Sequence, residues 1–314
     1  MPRLGVLGSL VWDTIHGPDG GSPVEDWGGI AYSLSAWDAV APAGWTLLPL
    51  IKVGRDLRAR ANRFLADLGE GDVSLEHVRS VDEPTNRVSL FYHDRSRRCE
   101  KLTGGVPGWS AAEIEQAAHA CDALYVNFIS GWEIDLEGAA VIDGSFGGLA
   151  WCDVHSLILG VGEDGVREPR GLDDRESWLG AFDLVQVNED ELDVLTSGGS
   201  PRDRLAELLG DGPEAVFLTR GAGGAEWLAS PGGPWRADPE GAEAGVRLPG
   251  READPTGCGD VWGMSCFASL LEGLPIRDAV RLANRLAAAA AASHGTRGLA
   301  DRLAGAARAA GIER

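Results

Sequence analysis

Short apolar runs typical of buried strands alternate along most of the chain with segments whose apolar residues recur at helical spacing. Several predicted helices begin at good caps, among them Ser110, which can form a capping box with Glu113, and the Ser200-Pro201 pair. The predicted strands cover residues 4–10, 46–53, 123–128, 149–154, 184–187 and 215–219. This alternation predicts an α/β protein with a parallel sheet and helices on both faces.

One stretch departs from the alternation. Residues 87–93 and 99–102 predict a β-hairpin around the polar tip 94–98. The segment 11–15 continues the first predicted strand and leads into the turn-rich residues 17–23. From these residues alone, the hairpin can be an ordinary surface feature.

Composition sets the broad class. A chain of 314 residues suits one large α/β domain. It contains no apolar run of 18 residues and no signal-peptide layout at its start, so neither a membrane span nor export is expected. The five cysteines are scattered and odd in number, which argues against a disulfide framework or a zinc site and favours a cytoplasmic location.

The net charge of −20 excludes two classes of partner. A strongly acidic surface repels both nucleic acid and anionic lipid. We therefore expect a small-molecule partner, and neither nucleic acid nor a membrane.

The first candidate site is the segment 254–260, here called the glycine turn, with the sequence Asp-Pro-Thr-Gly-Cys-Gly-Asp. The apolar residues that follow recur at helical spacing, so the turn opens a helix. Backbone N–H groups at such a helix start favour an anion, and small residues let it approach closely. Asp260, on the first helical turn, is then placed as a base for a hydroxyl that attacks phosphate. An ordinary loop with a favourable first-turn carboxylate is the alternative.

A second candidate is Asn188-Glu189-Asp190-Glu191, which follows a predicted strand and opens a helix. This places it at the carboxyl edge of the sheet, where open α/β folds bind ligands. Asn188 and Glu191 face the same side, and Mg²⁺ prefers oxygen ligands of this kind. A solvated, charged first turn is the alternative.

A third candidate, the glycine-rich segment 219–224, resembles the start of a dinucleotide fingerprint. Glu226 occupies the position that needs Gly or Ala, and residues 225–229 predict a strand where the fingerprint needs a helix. A dehydrogenase is therefore a poor fit.

Three of these segments carry a family resemblance. The glycine turn resembles the Asp-Thr-x-Gly-Ala-Gly-Asp motif of the PfkB carbohydrate kinases, the ribokinase-like family, with Pro255 in place of Thr and Cys258 in place of Ala. Asn188-x-x-Glu191 is similar to a second signature of that family. The segment from Thr219 is similar to its Thr-Leu-Gly-x-x-Gly turn, with Arg in place of Leu.

The resemblance implies a ribokinase-like fold, a single domain over residues 1–314 with a small β lid whose strands lie within 11–28 and 85–104. It also implies residue roles. Asp260 is the catalytic base, and the N–H groups of Gly257, Cys258 and Gly259 form the anion hole. Asn188 and Glu191 organise magnesium and phosphate. Nucleotide contacts are implied for Thr219, Gly221, Gly224 and Asn284, and contacts to acceptor hydroxyls for Asp13, Gly28 and Gly29. Ser33 stands where the family often carries Asn.

The sequence thus predicts an ATP- and Mg²⁺-dependent kinase that phosphorylates a hydroxyl of a sugar or nucleoside. A monovalent cation and a homodimer formed through the lid are left open. The alternative from another class is a nucleotide- or sugar-binding regulator without turnover. The six histidines show no metal-binding spacing, and no catalytic role is assigned to them.

Overall fold

The computed structural model describes residues 1–16, 22–68, 72–92, 98–246, 254–292 and 294–311. Most of the turn predicted at 17–23 and most of the hairpin tip predicted at 94–98 lie outside these ranges.

Sixteen strands are found in the described residues. They are β1 (Arg3–Gly8), β2 (Leu10–His16), β3 (Val24–Gly29), β4 (Thr46–Gly54), β5 (Asp72–Val73), β6 (Val78–Val81), β7 (Arg87–Tyr92), β8 (Arg98–Thr103), β9 (Ala123–Asn127), β10 (Leu149–Asp153), β11 (Leu159–Val161), β12 (Arg167–Pro169), β13 (Leu184–Asn188), β14 (Ala215–Thr219), β15 (Gly224–Ala229) and β16 (Glu240–Ala244).

Ten of these strands form the central sheet, in the order β16-β15-β14-β13-β10-β9-β1-β4-β5, with β6 also paired to β4. Pairing is parallel throughout, except that β15 runs antiparallel to both β14 and β16. A ligand site is expected at the carboxyl edge of such a sheet.

Helices cover both faces of the central sheet. They are α1 (Ile30–Val40), α2 (Arg58–Ala66), α3 (Ala111–Ala118), α4 (Leu136–Ser145), α5 (Arg175–Leu179), α6 (Glu189–Leu195), α7 (Pro201–Leu209), α8 (Cys258–Leu271), α9 (Ile276–Ala291) and α10 (Leu299–Ala309). The apolar side chains of α1, α2 and α8–α10 pack in one core, and those of α3–α7 pack in a second core on the opposite face.

The strand β9 shows how the sequence builds two cores from one sheet. Tyr125 points into the first core, whereas its neighbours Leu124 and Val126 point into the second. Successive side chains of a strand lie on opposite faces, so a sheet covered on both sides needs an almost continuous apolar run. The predicted α/β class, with a mostly parallel sheet between helices, is confirmed.

A separate four-stranded sheet, here called the small sheet, has the order β3-β2-β7-β8. The prediction of one strand over 4–10 is wrong in this respect: β1 ends at Gly8, and Leu10 already belongs to the small sheet. The chain changes sheets at Ser9, whose carbonyl accepts the Ile30 N–H at 3.2 Å and whose hydroxyl donates to Glu133.

The predicted helix caps are present. Ser110 and Glu113 bond reciprocally at the start of α3, and Ser200 caps α7, with Pro201 at its first position. Glu113 also accepts a hydrogen bond from the buried Lys52 at 2.9 Å.

The Glu113 carboxylate makes stability depend on acid pH. Burial raises its pKa, but hydrogen bonds from Lys52 and Ser110 outweigh that effect and lower the pKa to about 2. The ionised Glu113 carboxylate therefore stabilises the folded state above the usual glutamate pKa, and this stabilisation is lost as the pH falls from about 5 towards 2. We expect Glu113→Gln to cost about 1.5–3 kcal/mol at neutral pH. Urea unfolding from neutral to acid pH should show the difference from the parent shrinking; parallel profiles would contradict this.

Within the described ranges, every helix is too short or too polar to cross a lipid bilayer.

Candidate active site

Polar side chains end several neighbouring strands at the carboxyl edge of the central sheet. Asn127, Asp153 and Asn188 each end a strand. Asn127 lies opposite Asp153, and Asp153 lies opposite Gln186, two residues before Asn188. Thr219 pairs with Asn188 at the end of the next strand. The edge therefore carries a row of polar groups, as expected for an open α/β fold.

The glycine turn leads into α8 as predicted, and its shape requires glycine at 257. Gly257 has φ +73°, and a Cβ added there would lie 2.2 Å from the Tyr32 ring. Upstream, the buried Asp254 carboxylate accepts the Thr256 N–H at 2.9 Å and lies 2.7 Å from His294 Nδ1. These contacts fix the turn from both ends.

The three amides predicted for the anion hole are not equivalent. The Cys258 N–H donates to the Pro255 carbonyl at 3.2 Å, within the turn itself. The N–H groups of Gly257 and Gly259 have no acceptor among the described residues. Because α8 is 14 residues long and buried on most sides, these free amides stand at the positive end of a well-fixed helix.

Asp260 lies on the first turn of α8, next to these amides. Asn127 Nδ2 donates to Asp260 Oδ1 at 2.6 Å, and Asn127 is fully buried. The Ser33 hydroxyl donates to the Asp260 carbonyl at 3.4 Å. The carboxylate is thus held in a defined orientation by a neutral, buried donor.

A cationic imidazole lies among the carboxylates of this edge. Burial lowers the pKa of His155, but interactions with Glu191, Asp260 and Asp153 outweigh it and raise the pKa to about 9. Its Nδ1 lies 3.7 Å from Glu191 Oε1. Burial, together with the charges of Glu191 and Asp260, raises the pKa of Asp153 well above its usual range. Protonated His155 therefore offsets negative charge where an anionic ligand would approach.

Asn188 and Glu191 form a complete capping box at the start of α6. Glu191 Oε2 accepts the Asn188 N–H at 2.8 Å, and Oε1 accepts from Nδ2 at 2.6 Å. The pair faces one side, as predicted, and each carboxylate oxygen keeps a lone pair. Among the described residues no cluster of three or more His, Cys, Asp or Glu side chains has the arrangement of a metal centre. The oxygens present fit Mg²⁺ held largely through water and phosphate.

Asp13, Gly28 and Gly29 come together on the small sheet. Asp13 is 4% exposed, and its carboxylate covers Gly28 so closely that a Cβ there would lie 1.9 Å from Oδ2. Asp13, Gly29 and Asp260 all line one inner cavity of about 50 Å³. The remaining lining residues include Tyr32, Glu100, His155 and Thr256, and an apolar wall of Val11, Val88, Leu90 and Ile129.

The predicted nucleotide residues differ in what they contact. After Thr219, residues Gly221–Gly223 form a 3₁₀ turn, and the next element is the strand β15, so the fold lacks the helix that a dinucleotide fingerprint needs. Arg220 forms ion pairs with Glu189 and Glu226. Asn284 is buried, accepts from Trp262 Nε1 at 2.8 Å and donates to the carbonyls of 243 and 244. Its amide thus ties α9 to α8 and β16.

Sequence reasoning missed several residues of this edge. Asn127 and Asp153 carried the same signal as Asn188, a polar side chain at the end of a buried strand, and could have been found by it. His155 lies two residues after Asp153 but was assigned no role. Gln186, whose Nε2 donates to the Gly259 carbonyl at 3.1 Å, lies within a strand, where the sequence gives no such signal.

Solved structures with the same fold cover nearly the whole chain. A ribokinase of Arabidopsis thaliana, complexed with ribose and ATP, is 17% identical, with 96% of this chain and 98% of that chain covered and a TM-score of 0.69. A pyrophosphate-dependent kinase in the ribokinase family is 17% identical, with coverages of 93% and 96% and a TM-score of 0.74. A nucleoside kinase of Burkholderia thailandensis, in complex with inosine, is 18% identical, with 99% of each chain covered and a TM-score of 0.70.

These likenesses define the class: the chain has a ribokinase-like α/β fold. Residues 162–302, which contain the glycine turn and the Asn188 segment, match the sequence model described as pfkB family carbohydrate kinase. The resemblance to the PfkB carbohydrate kinases is confirmed by this match and by the ribokinase-family neighbours.

Proposed function

We propose that this protein is a kinase that transfers a phosphoryl group to a hydroxyl of a sugar or sugar-like small molecule. The observation that carries the proposal is the inner cavity, in which the Asp260 carboxylate and the Asp13 carboxylate both face the space beside the open start of α8. An acceptor hydroxyl in this cavity would lie next to a base on one side and an anion-binding helix start on the other.

Asp260 acts as the general base in this proposal. It takes the proton of the acceptor hydroxyl as that oxygen attacks the terminal phosphorus of the donor, and the bond from that phosphorus to the rest of the donor breaks, while Asn127 keeps the carboxylate oriented. The Gly257 and Gly259 amides stabilise negative charge on the transferring group, since preorganised donors need no rearrangement during the reaction. Positioning and electrostatics of this kind account for most of the catalysis in phosphoryl transfer.

ATP with Mg²⁺ is the proposed donor, and when bound it would supply the phosphoryl group and neutralise part of its charge. The chain's residues that would hold it are the free amides of the glycine turn, Glu191 with Asn188, and the turn after Thr219. Both the oxygen and the nitrogen of the Asn284 side-chain amide are hydrogen-bonded to protein groups, so we propose that Asn284 shapes the nucleotide site through packing. The pyrophosphate-dependent kinase with the same fold makes pyrophosphate the donor to test beside ATP.

The small sheet is proposed as a lid over the acceptor. Val11, Asp13, Val88, Leu90 and Glu100 all reach the inner cavity from it. The cavity of about 50 Å³ is smaller than the range of about 300–1,000 Å³ that is typical of small-molecule sites, so admission of a sugar requires the small sheet to move outward. The apolar wall suits one face of a ring, and a nucleoside is therefore the alternative acceptor.

Donor consumption that depends on an acceptor tests the proposal. The purified protein would be incubated with ATP and Mg²⁺, and separately with pyrophosphate and Mg²⁺, across hexoses, pentoses, cyclitols, sugar acids and nucleosides. The proposal predicts consumption only in the presence of one acceptor class. Saturable sugar or nucleotide binding without turnover in any combination would favour a regulator instead.

Glu191→Gln is expected to raise the Mg²⁺ concentration needed for half-maximal rate by about tenfold or more. Removing a residue that supports a metal site typically lowers the affinity for the metal by about 10- to 100-fold. Glutamine still completes the capping box, so α6 should keep its stability. Asp190→Asn, which removes an exposed carboxylate one residue earlier, is the matched control. Equal Mg²⁺ dependence in both variants would mean that Asn188-x-x-Glu191 serves only as a helix cap.

A further inference from the structure

A second and much larger cleft, of about 780 Å³, lies outside the inner cavity. Its walls are α1, α2 and α10, and Trp12 and Trp27 of the small sheet also line it. Its volume falls within the range of about 300–1,000 Å³ that is typical of small-molecule sites. None of the residues assigned to phosphoryl transfer lines it, so the cleft needs a separate explanation.

Four arginines converge on this cleft, here called the arginine cleft: Arg60 and Arg63 from α2, Arg297 from the α9–α10 connection, and Arg308 from α10. No carboxylate of the described residues forms an ion pair with any of the four. Some exposed arginines elsewhere do have such a partner, as in the Arg55–Asp82 and Arg202–Glu240 pairs. In so acidic a chain, guanidinium groups without an acidic partner around one opening favour an anionic ligand.

The acidic residues of the lining leave the cleft neutral, whereas the chain as a whole is strongly negative. The lining contains four aspartates against the four arginines, so its formal charge is zero in a chain of net charge −20. Asp26 is already used: its carboxylate accepts the N–H groups of Trp27, Thr296 and Arg297 at 2.9, 2.9 and 3.3 Å.

The cleft also offers apolar surface. Phe64 is half-buried in its wall, and the Arg60 guanidinium stacks over the Trp12 ring at 4.8 Å. Trp12 in turn meets Trp27 edge to face, with ring centroids 5.1 Å apart. A ligand that combines an anionic group with a compact organic part would match both features. Planar guanidinium groups bind phosphate through paired hydrogen bonds, and several of them can share one phosphate.

We propose that the arginine cleft binds a phosphorylated small molecule and acts as an effector site. The contacts of Asp26 support the effector role. Its hydrogen bonds join β3 to the α9–α10 connection. Across the β2–β3 pair it lies opposite Asp13, the residue proposed to bind the acceptor hydroxyls. His294, two residues before Thr296, contacts Asp254 of the glycine turn. A ligand against Arg297 therefore stabilises the connection that joins the small sheet to the glycine turn.

Calorimetric titration with inorganic phosphate, glucose 6-phosphate and AMP tests the site. We expect at least one probe to bind with a Kd of about 1 mM or tighter. The double variant Arg63→Gln/Arg297→Gln should weaken that binding by about tenfold or more. The matched control is Arg58→Gln/Arg285→Gln, which removes two exposed arginines from α2 and α9 outside the cleft. Because all four side chains are exposed, both doubles should keep the parent's melting temperature.

Hydrogen exchange tests the coupling without any need for catalysis, so its result is independent of the proposed function. The bound probe should slow amide exchange in 24–29 and 294–299 in the parent and in the control double, but not in the cleft double. No saturable binding of any probe up to about 10 mM, or equal binding by both doubles, would overturn the site. Binding with the expected pattern but unchanged exchange in 24–29 would overturn the effector role.

Discussion

Asp260→Asn is expected to reduce phosphoryl transfer by about 100- to 10,000-fold, the usual cost of losing a general base. Asparagine has nearly the same shape but cannot accept the acceptor's proton. It would also place an amide against Asn127 Nδ2, which donates to Asp260 at 2.6 Å in the parent. Donor binding should remain, because the Gly257 and Gly259 amides are untouched. Initial rates and the donor Kd would be measured on the same preparation.

The control for this substitution is Asp278→Asn, which also removes a first-turn carboxylate, but from the neighbouring helix α9. Both changes remove a favourable interaction of about 0.3–1 kcal/mol with a helix start. Only Asp260→Asn should lose turnover. A folded Asp260→Asn protein with near-parental rate would remove Asp260 from the mechanism.

Asp13→Ala is expected to lower kcat/KM for the acceptor by about 10- to 10,000-fold, while the donor Kd changes little. Asp13 is 4% exposed and faces the inner cavity, so its carboxylate can accept one or two acceptor hydroxyls. Each hydrogen bond to a charged group is worth about 1.5–3 kcal/mol, which sets the range of the loss. Steady-state kinetics at varied acceptor and donor concentration would separate the two effects.

Glu25→Ala is the matched control for Asp13→Ala, because it removes an exposed carboxylate from the same small sheet. It should leave acceptor kinetics unchanged. If Asp13→Ala used the acceptor as well as the parent, Asp13 would be a structural residue and the acceptor would have to lie elsewhere.

Local signals in the sequence predicted most of the fold and the positions of the main candidates. Apolar runs such as 123–128 and 215–219 became strands because each lies in a sheet that is covered on both faces. The glycine turn opened a helix because Gly257 can adopt φ +73° beneath Tyr32. Asn188 and Glu191 form a capping box because a capping box joins the N-cap residue to the residue three positions later.

Features that depend on distant contacts were not predictable in this way. The position of Ser9 between two sheets is set by Ile30 and Glu133, which lie far along the chain. The assignment of the Cys258 amide to the anion hole overlooked its bond to Pro255. The contact of Asn127 with Asp260 joins residues 133 positions apart, and the arginine cleft assembles from five separate segments. Tertiary packing, and no local pattern, brings these groups together.

The most direct test of the proposed kinase function is ³¹P NMR of the reaction mixture with the best acceptor. With ATP and Mg²⁺ the parent protein should produce a new phosphomonoester signal together with ADP, only when the acceptor is present, and Asp260→Asn should produce almost none. If neither ATP nor pyrophosphate yielded a phosphorylated acceptor with the parent, or if Asp260→Asn yielded as much as the parent, the assignment of Asp260 and the glycine turn to phosphoryl transfer would be contradicted.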